Sequence, residues 1–545
     1  MTPETSLTTD SGLGMLDYAV IVLYMLSTFG IAVWFGRKQE TTDDFFIGSR
    51  RMPWFAVGLS ILATLFSTLS YLGTPGEMIK NGIGLFIGYL AVPFSMTVVF
   101  FLWIPFFMRL RVTSAYEYLE RRFNYAVRLI GAGLFILLRL GWMSMVVFAA
   151  SMALDRVKGD DIVMLAGPDI YWWICAVGLG AAIYTSVGGI QAMIWTDVLQ
   201  CLLLLAGVLM VIFYVLIVDQ TGPVEWWATA AQHAPKHVAP PWISWDITER
   251  VTIVWVLLGN FFWTICTHGS DQVVLQRYFS TESQKAARRS YLINVGVDLL
   301  MAVLLGTAGL ALLAFYLRHG ELLPAGWTPT KSADKLFPHF LGHQLPAGCA
   351  GLIIAAFICD AMQTLESGVN SITAVVTNDV VPRLRQGRPR ILTELTFARV
   401  LTILITVIVT ANAYFVARLS LTGGLTLIDM MPKFFNMFVG PLSSLFFIGM
   451  FLPRCTARSA IIAVLMGLSA SIMWSWYREI FGVERGPTIF LAITVPWMTS
   501  VATACLLSFV IERGGPHAGQ GYTWFAIVKG GEQREREAAV DRSLN

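Results

Sequence analysis

The chain has 545 residues, of which 56% are hydrophobic and only 13% are charged, and its formal net charge is +3. Soluble domains contain about 25% charged residues, so this composition excludes a water-soluble protein, which could not keep so much apolar surface out of water. The small net charge gives no reason to expect a nucleic-acid partner.

Apolar stretches long enough to cross a lipid bilayer recur along the chain. A crossing needs about 20 mostly apolar residues, because each helical residue rises about 1.5 Å through a hydrocarbon core of about 30 Å. Lipid offers no partner to an unpaired backbone group, so these stretches must be helices. We therefore predict an all-α, multi-pass protein of the plasma (inner) membrane with about 13 transmembrane helices. In chain order, spans 0 to 12 are predicted at 16–36, 54–74, 83–108, 125–154, 170–187, 190–218, 252–274, 289–317, 347–381, 394–417, 421–452, 458–477 and 487–511.

The charged loops predict how the chain is oriented. Clusters of Lys and Arg follow spans 0, 2, 6, 8 and 10, all of them even-numbered, and cytoplasmic loops are the ones enriched in these residues. This alternation predicts an extracellular N-terminus at 1–15, an extracellular loop at 219–250 and a cytoplasmic tail at 512–545. The segment 1–15 lacks the basic region and cleavage site of a signal peptide, so we expect span 0 to be retained. The clusters lie at 37–51, 109–128, 277–289, 383–390 and 454–458.

Span 1 combines many hydroxyl side chains with helix-breaking residues. Hydroxyls can replace water around backbone that a break sets free, and the freed carbonyls could then bind a cation. The alternative is a Ser/Thr-rich face that packs against another helix. The residues are Ser60, Thr64, Ser67, Thr68 and Ser70, followed by Gly73, Pro75 and Gly76.

Span 5 contains an aspartate, Asp197, about two turns after the span begins. A carboxylate inside a membrane is unfavourable unless it is paired. A bound cation is one natural partner, and hydrogen bonds near the membrane interface are the alternative.

Span 6 is interrupted as span 1 is, five spans later. Its apolar run stops midway at 267–272, which reads Thr-His-Gly-Ser-Asp-Gln. Two interrupted spans in corresponding positions of two halves indicate an inverted-repeat carrier with its binding site at the middle of the membrane. For His268 itself, a hydrogen-bonded structural role is favoured over a titrating one.

Span 8 carries polar side chains at steps of three and four residues. At about 100° per residue they fall within an arc of roughly 140°, and the opposite face is apolar. Such a stripe inside a membrane lines water, an ion path or another polar helix. Its members are Asp360, Gln363, Thr364, Ser367, Asn370, Ser371, Thr377 and Asn378.

Four segments carry a family resemblance, namely Tyr184–Gln200, Ser270–Ser280 (SDQVVLQRYFS), Glu366–Thr373 (ESGVNSIT) and Gly440–Met450 (GPLSSLFFIGM). They resemble the signatures of the sodium:solute symporter family, which includes sodium/glucose, monocarboxylate, multivitamin, iodide and sialic acid symporters. The resemblance implies the five-plus-five inverted-repeat core of the leucine transporter fold. The repeats would be 54–218 and 252–452, preceded by one extra helix at 16–36 and followed by spans 11 and 12 at 458–511.

The resemblance also implies a sodium ion between the break of span 1 and span 8. Its ligands would be the carbonyl oxygens of Ala63 and Phe66 and the side chains at Asp360, Gln363 and Thr364. Relatives commonly have a small residue and two hydroxyls at the last three positions, so only Thr364 matches well. A carboxylate at Asp360 would either strengthen sodium binding or accept a proton in a proton-coupled variant.

Some relatives bind a second sodium through an aspartate on span 5. The resemblance therefore implies a second site at Asp197, with Thr364 and Ser367 as its neighbours. The solute would lie beside the two interrupted spans, and we expect a small carboxylate or another polar organic solute. The implied solute-binding residues are Ser67, Leu69, Ser70, Leu90, Thr264, Thr267 and His268.

Together these patterns predict a secondary active transporter that couples a cation, sodium in the first instance, to symport of a small organic solute by alternating access. A proton-coupled symporter of the same fold and a transporter-like membrane sensor are the alternatives. The absence of HExxH and GxSxG argues against an enzyme. The seven cysteines show no CxxC spacing, so no metal beyond sodium is expected. The expected partners are the solute and membrane lipid, with no obligate protein partner.

Overall fold

The structure, a computed structural model, describes residues 14–36, 48–110, 112, 114–157, 170–185, 190–233, 238, 243–384, 394–423, 427–510 and 518–530. Within these ranges the regular elements are all helices. The predicted extracellular segment 1–15 lies almost wholly outside them, as do much of the tail 512–545 and the side chain of Asn378.

Each of the thirteen predicted spans coincides with a helix or a broken helix of the structure. Spans 1 and 6 each consist of two half-helices, which we call 1a, 1b, 6a and 6b. The bounds, from span 0 to span 12, are Met15–Gly36, Trp54–Leu65 (1a) and Thr68–Asn81 (1b), Gly84–Leu110, Tyr125–Val157, Ile170–Thr185, Ile190–Val218, Ile253–Ser270 (6a) and Gln272–Phe279 (6b), Gln284–Arg318, Cys349–Val375, Glu394–Gly423, Leu427–Phe451, Ala457–Ser475 and Ile489–Phe509.

Length and composition support the membrane assignment. Among the described residues, 11 helices are long and apolar enough to cross a bilayer alone, and the bent pair of half-helices 1a and 1b makes 12. The remaining predicted span, span 4, contains the shorter apolar helix Ile170–Ala181. The predicted all-α, multi-pass architecture is confirmed.

Span 1 breaks within its hydroxyl-rich stretch, at Phe66 and Ser67, and not at Gly73, Pro75 and Gly76, which lie inside half-helix 1b. Half-helices 1a and 1b meet at an angle of 63°. Phe66 and Ser67 leave the helical conformation, and Ser67 is extended, with φ −91° and ψ 174°. Among the described residues, no backbone amide donates to the carbonyl oxygens of Ala63 or Phe66. The break therefore supplies two carbonyl groups that need another partner.

Span 6 also breaks, at a single residue within the predicted stretch 267–272. The helix continues through Thr267 and His268 and ends only at Ser270, so those two residues are helical. Asp271 is the single non-helical residue, and its side chain accepts a hydrogen bond from the Val273 amide (3.0 Å), which caps 6b. Arg139 of span 3 forms an ion pair with the same carboxylate. The capping aspartate, and not the polar run as a whole, determines where 6b begins.

Span 8 lies at the centre of the molecule. Every residue from Cys359 to Val375 is buried, and the helix contacts spans 0, 3, 4 and 5 and both halves of span 1. Span 0 is attached to its N-terminus by Asp17, which accepts hydrogen bonds from the amides of Gly348 and Gly351 (both 2.7 Å). A Cβ at Gly351 would lie 2.5 Å from the Asp17 Cα, so only glycine permits this approach.

Shorter elements cover both ends of the bundle. The helix Pro223–His233 lies in the loop 219–250 that was predicted outside, and the helix Ala333–His343 lies between spans 7 and 8. The described part of the tail packs against span 2: the Trp524 indole N–H donates to the Leu102 carbonyl (2.9 Å), and Arg109 donates to the Val528 carbonyl. This portion of the tail is therefore an ordered extension of one end of the bundle.

Candidate functional site

Asp360 of span 8 faces the break in span 1. Its Oδ2 accepts hydrogen bonds from the backbone N–H and the hydroxyl of Thr68, both at 2.5 Å. Thr68 is the first residue of 1b, and the first amides of a helix have no partner within the helix. The Asp360 carboxylate therefore caps 1b, where the positive end of the helix dipole favours a negative charge.

The oxygen atoms around this break form a possible cation site. Two are the carbonyl oxygens of Ala63 and Phe66, to which no described backbone amide donates. Asp360 is 1% exposed and pairs with no lysine or arginine of the described residues. The Thr364 hydroxyl, one turn after Asp360, makes no hydrogen bond within the described chain. Carbonyl oxygens freed by an unwound helix are the ligands that Na⁺ takes in carriers of this architecture.

Asp197 has a different environment. It is 2% exposed, and its carboxylate forms an ion pair with Arg277 of 6b, with Nη2 3.0 Å from Oδ2. Arg277 also donates to Ser60 of 1a (2.7 Å) and to Ser367 of span 8 (2.9 Å), and Ser60 donates to Asp197. Asp197 and Ser367 are thus brought together as predicted, but around the guanidinium group of Arg277, which was not predicted to lie at this site.

Gln363 of span 8 lies against Asp197. Its side-chain nitrogen donates to Asp197 Oδ1 (2.8 Å) and to the Gln200 side-chain oxygen. Its side-chain oxygen accepts from the Asp197 amide (2.9 Å) and the Thr196 hydroxyl (2.6 Å). All of its hydrogen-bonding capacity is directed at span 5. Of the three span 8 positions implied as ligands, Gln363 is therefore the one that does not face the break of span 1.

A cavity of about 250 Å³ opens beside the two interrupted spans. It is lined by spans 1, 2, 3, 6, 7, 10 and 12, and Phe66 of the break contributes to its wall. Leu90 does not line it, because its side chain is 66% exposed, and Tyr89 lines it instead. The side chains of neighbouring residues in a helical turn point about 100–120° apart. When one residue faces the cavity, the next residue can therefore face the surface of the molecule. The predicted residues that do line it are Ser67, Leu69, Ser70, Thr264, Thr267 and His268.

His268 has the structural environment that the sequence favoured. Its ring is 3% exposed, its Nδ1 lies 2.7 Å from the Tyr278 hydroxyl, and its centroid lies 4.9 Å from that of Tyr291. These contacts fix the orientation of the ring at the wall of the cavity.

Comparison with known proteins assigns the chain to a family. The model of the sodium:solute symporter family matches residues 45–467, which is most of the chain. The chain belongs to the sodium:solute symporter family. This symporter is therefore a secondary active transporter that couples a solute to sodium by alternating access, and it is an integral membrane protein and not an enzyme. The predicted family, fold class and transport class are confirmed.

Relatives and a solved structure support the assignment over nearly full length. The symporter is 30% identical to the sodium/sialic acid symporter SiaT of Proteus mirabilis over 88% of this chain and 95% of the relative. It is 30% identical to the human sodium/iodide cotransporter over 84% of this chain and 69% of the relative. A solved substrate-bound, outward-open Na⁺-coupled sialic acid symporter superposes with a TM-score of 0.77 at 27% identity, covering 92% of this chain and 99% of that one.

Several residues of this symporter's sites were not predicted. Arg139 and Arg277 are buried inside the bundle, and Asp298 of span 7 lines the cavity. A simple signal was available for Asp298, since it is the only charged residue between Ser290 and Leu317, and an ionisable residue inside a membrane is functional by default. The aromatic residues of the cavity, by contrast, cannot be told from ordinary apolar residues of a span by sequence pattern.

Proposed function

We propose that this symporter binds its coupling sodium between the break of span 1 and span 8, and that a small polar organic solute occupies the adjacent cavity. The proposed sodium ligands are the carbonyl oxygens of Ala63 and Phe66, the Asp360 carboxylate and the Thr364 hydroxyl. The observation that carries the proposal is the buried Asp360 carboxylate, which lies at the break and has no cationic partner among the described residues. Sodium would supply the missing positive charge.

The same break connects ion and solute. Phe66 would bind sodium through its carbonyl while its side chain and Ser67 line the cavity. Thr68, the next residue, is bound to Asp360. Sodium binding would hold 1a, 1b and span 8 in one arrangement and so complete the solute site, and its loss to the cytoplasm would release both. One inward sodium carries about 2.3 kcal/mol per 100 mV, which supports roughly 50-fold accumulation of the solute.

The second predicted sodium site has a competing occupant. Arg277 already places a positive charge between Asp197 and Ser367. We infer that this guanidinium takes the place of a second sodium, so that one sodium, at Asp360, drives the symport. Asp197 would then act as a structural partner of Arg277 between spans 5 and 6.

The orientation proposed from the loops is an extracellular N-terminus and a cytoplasmic tail. The tail segment 518–530 is bound at the end of span 2 that carries Arg109, within one of the predicted cytoplasmic clusters. Because the tail and this basic cluster lie on the same side of the membrane, their contact supports the proposed orientation. The relatives named for sialic acid and monocarboxylates would favour a carboxylate as the solute. The negative charge of the cavity favours a polar solute that is not an anion.

Thermal unfolding of the purified full-length protein tests the sodium site. We expect the wild type to melt at a higher temperature in sodium than in equimolar potassium, because sodium binds the folded state. Asp360→Asn should abolish this difference, whereas Asp246→Asn, which alters an exposed loop carboxylate, should preserve it.

Two results would contradict the assignment. A sodium-specific shift that survives in Asp360→Asn would place the ion elsewhere. A wild type that ignores sodium but responds to pH through Asp360 would establish a proton as the coupling ion.

A further inference from the structure

The cavity has an unbalanced charge. Asp298 is the only aspartate or glutamate among the described residues that line it, and no lysine or arginine lines it. Asp298 forms no hydrogen bond or ion pair with any described residue. A carboxylate in the middle of a 35-residue membrane helix needs a partner of opposite charge, and the described part of the chain does not provide one here.

The polar atoms around Asp298 are also without partners. Tyr291, Asn294 and Asp298 follow one another at steps of three and four and so share one face of span 7. Asn294 is 5% exposed, and its Oδ1 has no hydrogen-bond partner; the same holds for Oδ1 of Asn436, which lines the cavity from span 10. Buried polar atoms are normally paired, so unpaired acceptors at a cavity wall indicate a ligand that donates hydrogen bonds.

Aromatic rings form another wall of the cavity. Trp142 and Trp263 are stacked with centroids 5.7 Å apart, and the Phe435 ring lies 4.8 Å from Trp142 and 6.5 Å from Trp263. Tyr89 and Tyr291 also line the space. The faces of Trp, Tyr and Phe rings attract organic cations, and walls of this kind recognise ammonium groups.

We propose that the solute of this symporter is a small organic cation whose ammonium group binds the Asp298 carboxylate and the Asn294 side-chain oxygen, with its apolar part against Trp142, Trp263 and Phe435. This inference rests on the proposed function only in taking the cavity as the solute site. A carboxylate solute would instead place a second negative charge in a desolvated cavity that no lysine or arginine lines.

Three probes that share one ring and differ in charge test the proposal. Purified full-length protein in sodium buffer is titrated with benzylammonium, benzamide or benzoate at millimolar concentration, and its melting temperature is followed. We expect the largest increase with benzylammonium, a smaller one with benzamide and none with benzoate. A larger response to benzoate, equal responses to all three, or no response to benzylammonium would overturn the proposal.

Two variants connect the preference to Asp298. Asp298→Asn should weaken benzylammonium binding roughly 10- to 100-fold, because a hydrogen bond to a charged group is replaced by a neutral one. Asn294→Asp adds a second carboxylate one turn away and should raise the preference for benzylammonium over benzamide. This second variant decides the matter if Asp298→Asn does not fold.

The sodium response separates this inference from the proposed function. In Asp298→Asn the sodium-induced shift should remain, because sodium is assigned to Asp360. Loss of the sodium shift with an intact benzylammonium response would make Asp298 an ion ligand and overturn the inference. If the wild type shows no sodium-induced shift but still prefers benzylammonium, the proposed sodium site would be wrong and the proposed solute class would be unaffected.

Discussion

Two buried carboxylates, Asp197 of span 5 and Asp360 of span 8, are stabilised in opposite ways. Asp197 is paired with Arg277, whose guanidinium also binds Ser60 and Ser367. Among the residues that the structure describes, Asp360 has only the N–H and hydroxyl of Thr68 as donors. The first carboxylate is neutralised within the protein, and the second is not. A carboxylate inside the bundle therefore indicates an ion site only where the protein has not already supplied the cation.

The largest expected effect comes from breaking the paired site. Arg277→Gln leaves Asp197 buried without its cation, which should lower the free energy of unfolding by about 3–5 kcal/mol. The double variant Asp197→Asn/Arg277→Gln removes both charges and should recover most of that loss. Thermal unfolding in sodium-free buffer measures both. A double variant as unstable as the single one would show that the ion pair is not the reason for the loss.

The unpaired site should respond in the opposite manner. In sodium-free buffer Asp360→Asn should unfold at nearly the wild-type temperature, because the asparagine oxygen still accepts from Thr68 while the buried charge is gone. At sodium concentrations about 100 times the dissociation constant, the wild type gains about 2.7 kcal/mol that the variant lacks. Unfolding curves across a sodium titration provide the comparison, and a large loss of stability without sodium would make Asp360 a purely structural residue.

A third site, with two carboxylates, is more exposed than either of these. Arg250, 28% exposed, joins Glu77 of 1b to Asp429 of span 10. Arg250→Gln leaves the nearly buried Glu77 carboxylate unpaired and should lower the free energy of unfolding by about 2 kcal/mol. A double-mutant cycle with Asp429→Asn reports the coupling between Arg250 and Asp429, and a coupling near zero would show that the two side chains act independently.

The smallest effect is expected at the loop network around Glu120. Burial raises the pKa of the Glu120 carboxyl. Hydrogen bonds from Arg128 and Arg383 lower this pKa by more than burial raises it, so the pKa lies below its ordinary value. The resulting stability is present above about pH 4.3, the unfolded pKa, and is lost as pH falls through the lower folded pKa. Glu120→Gln should therefore cost less than about 1 kcal/mol at pH 7. The difference from wild type should shrink in acid, and a difference that does not change with pH would refute the assignment.

The sequence predicted the features that local pattern determines. Hydroxyl residues marked the part of span 1 that breaks, and spacing placed Asp360 and Thr364 on one stripe of span 8. The helix-breaking residues Gly73, Pro75 and Gly76 did not mark the break, because they lie inside half-helix 1b. The partner of Asp197 could not be predicted in this way, because Arg277 lies 80 residues away and reaches it only through the fold. Leu90 was wrongly expected in the cavity because pattern alone does not fix helix rotation to within one residue. The exact position of the break between 6a and 6b depends on one capping side chain, Asp271, that composition does not distinguish from its polar neighbours.

Equilibrium binding of radioactive sodium to the purified full-length protein tests the central claim most directly. We predict one sodium ion per wild-type chain at saturation and none in Asp360→Asn, since Arg277 already occupies the place of a second ion. Two sodium ions per chain, or one retained in Asp360→Asn, would contradict this account.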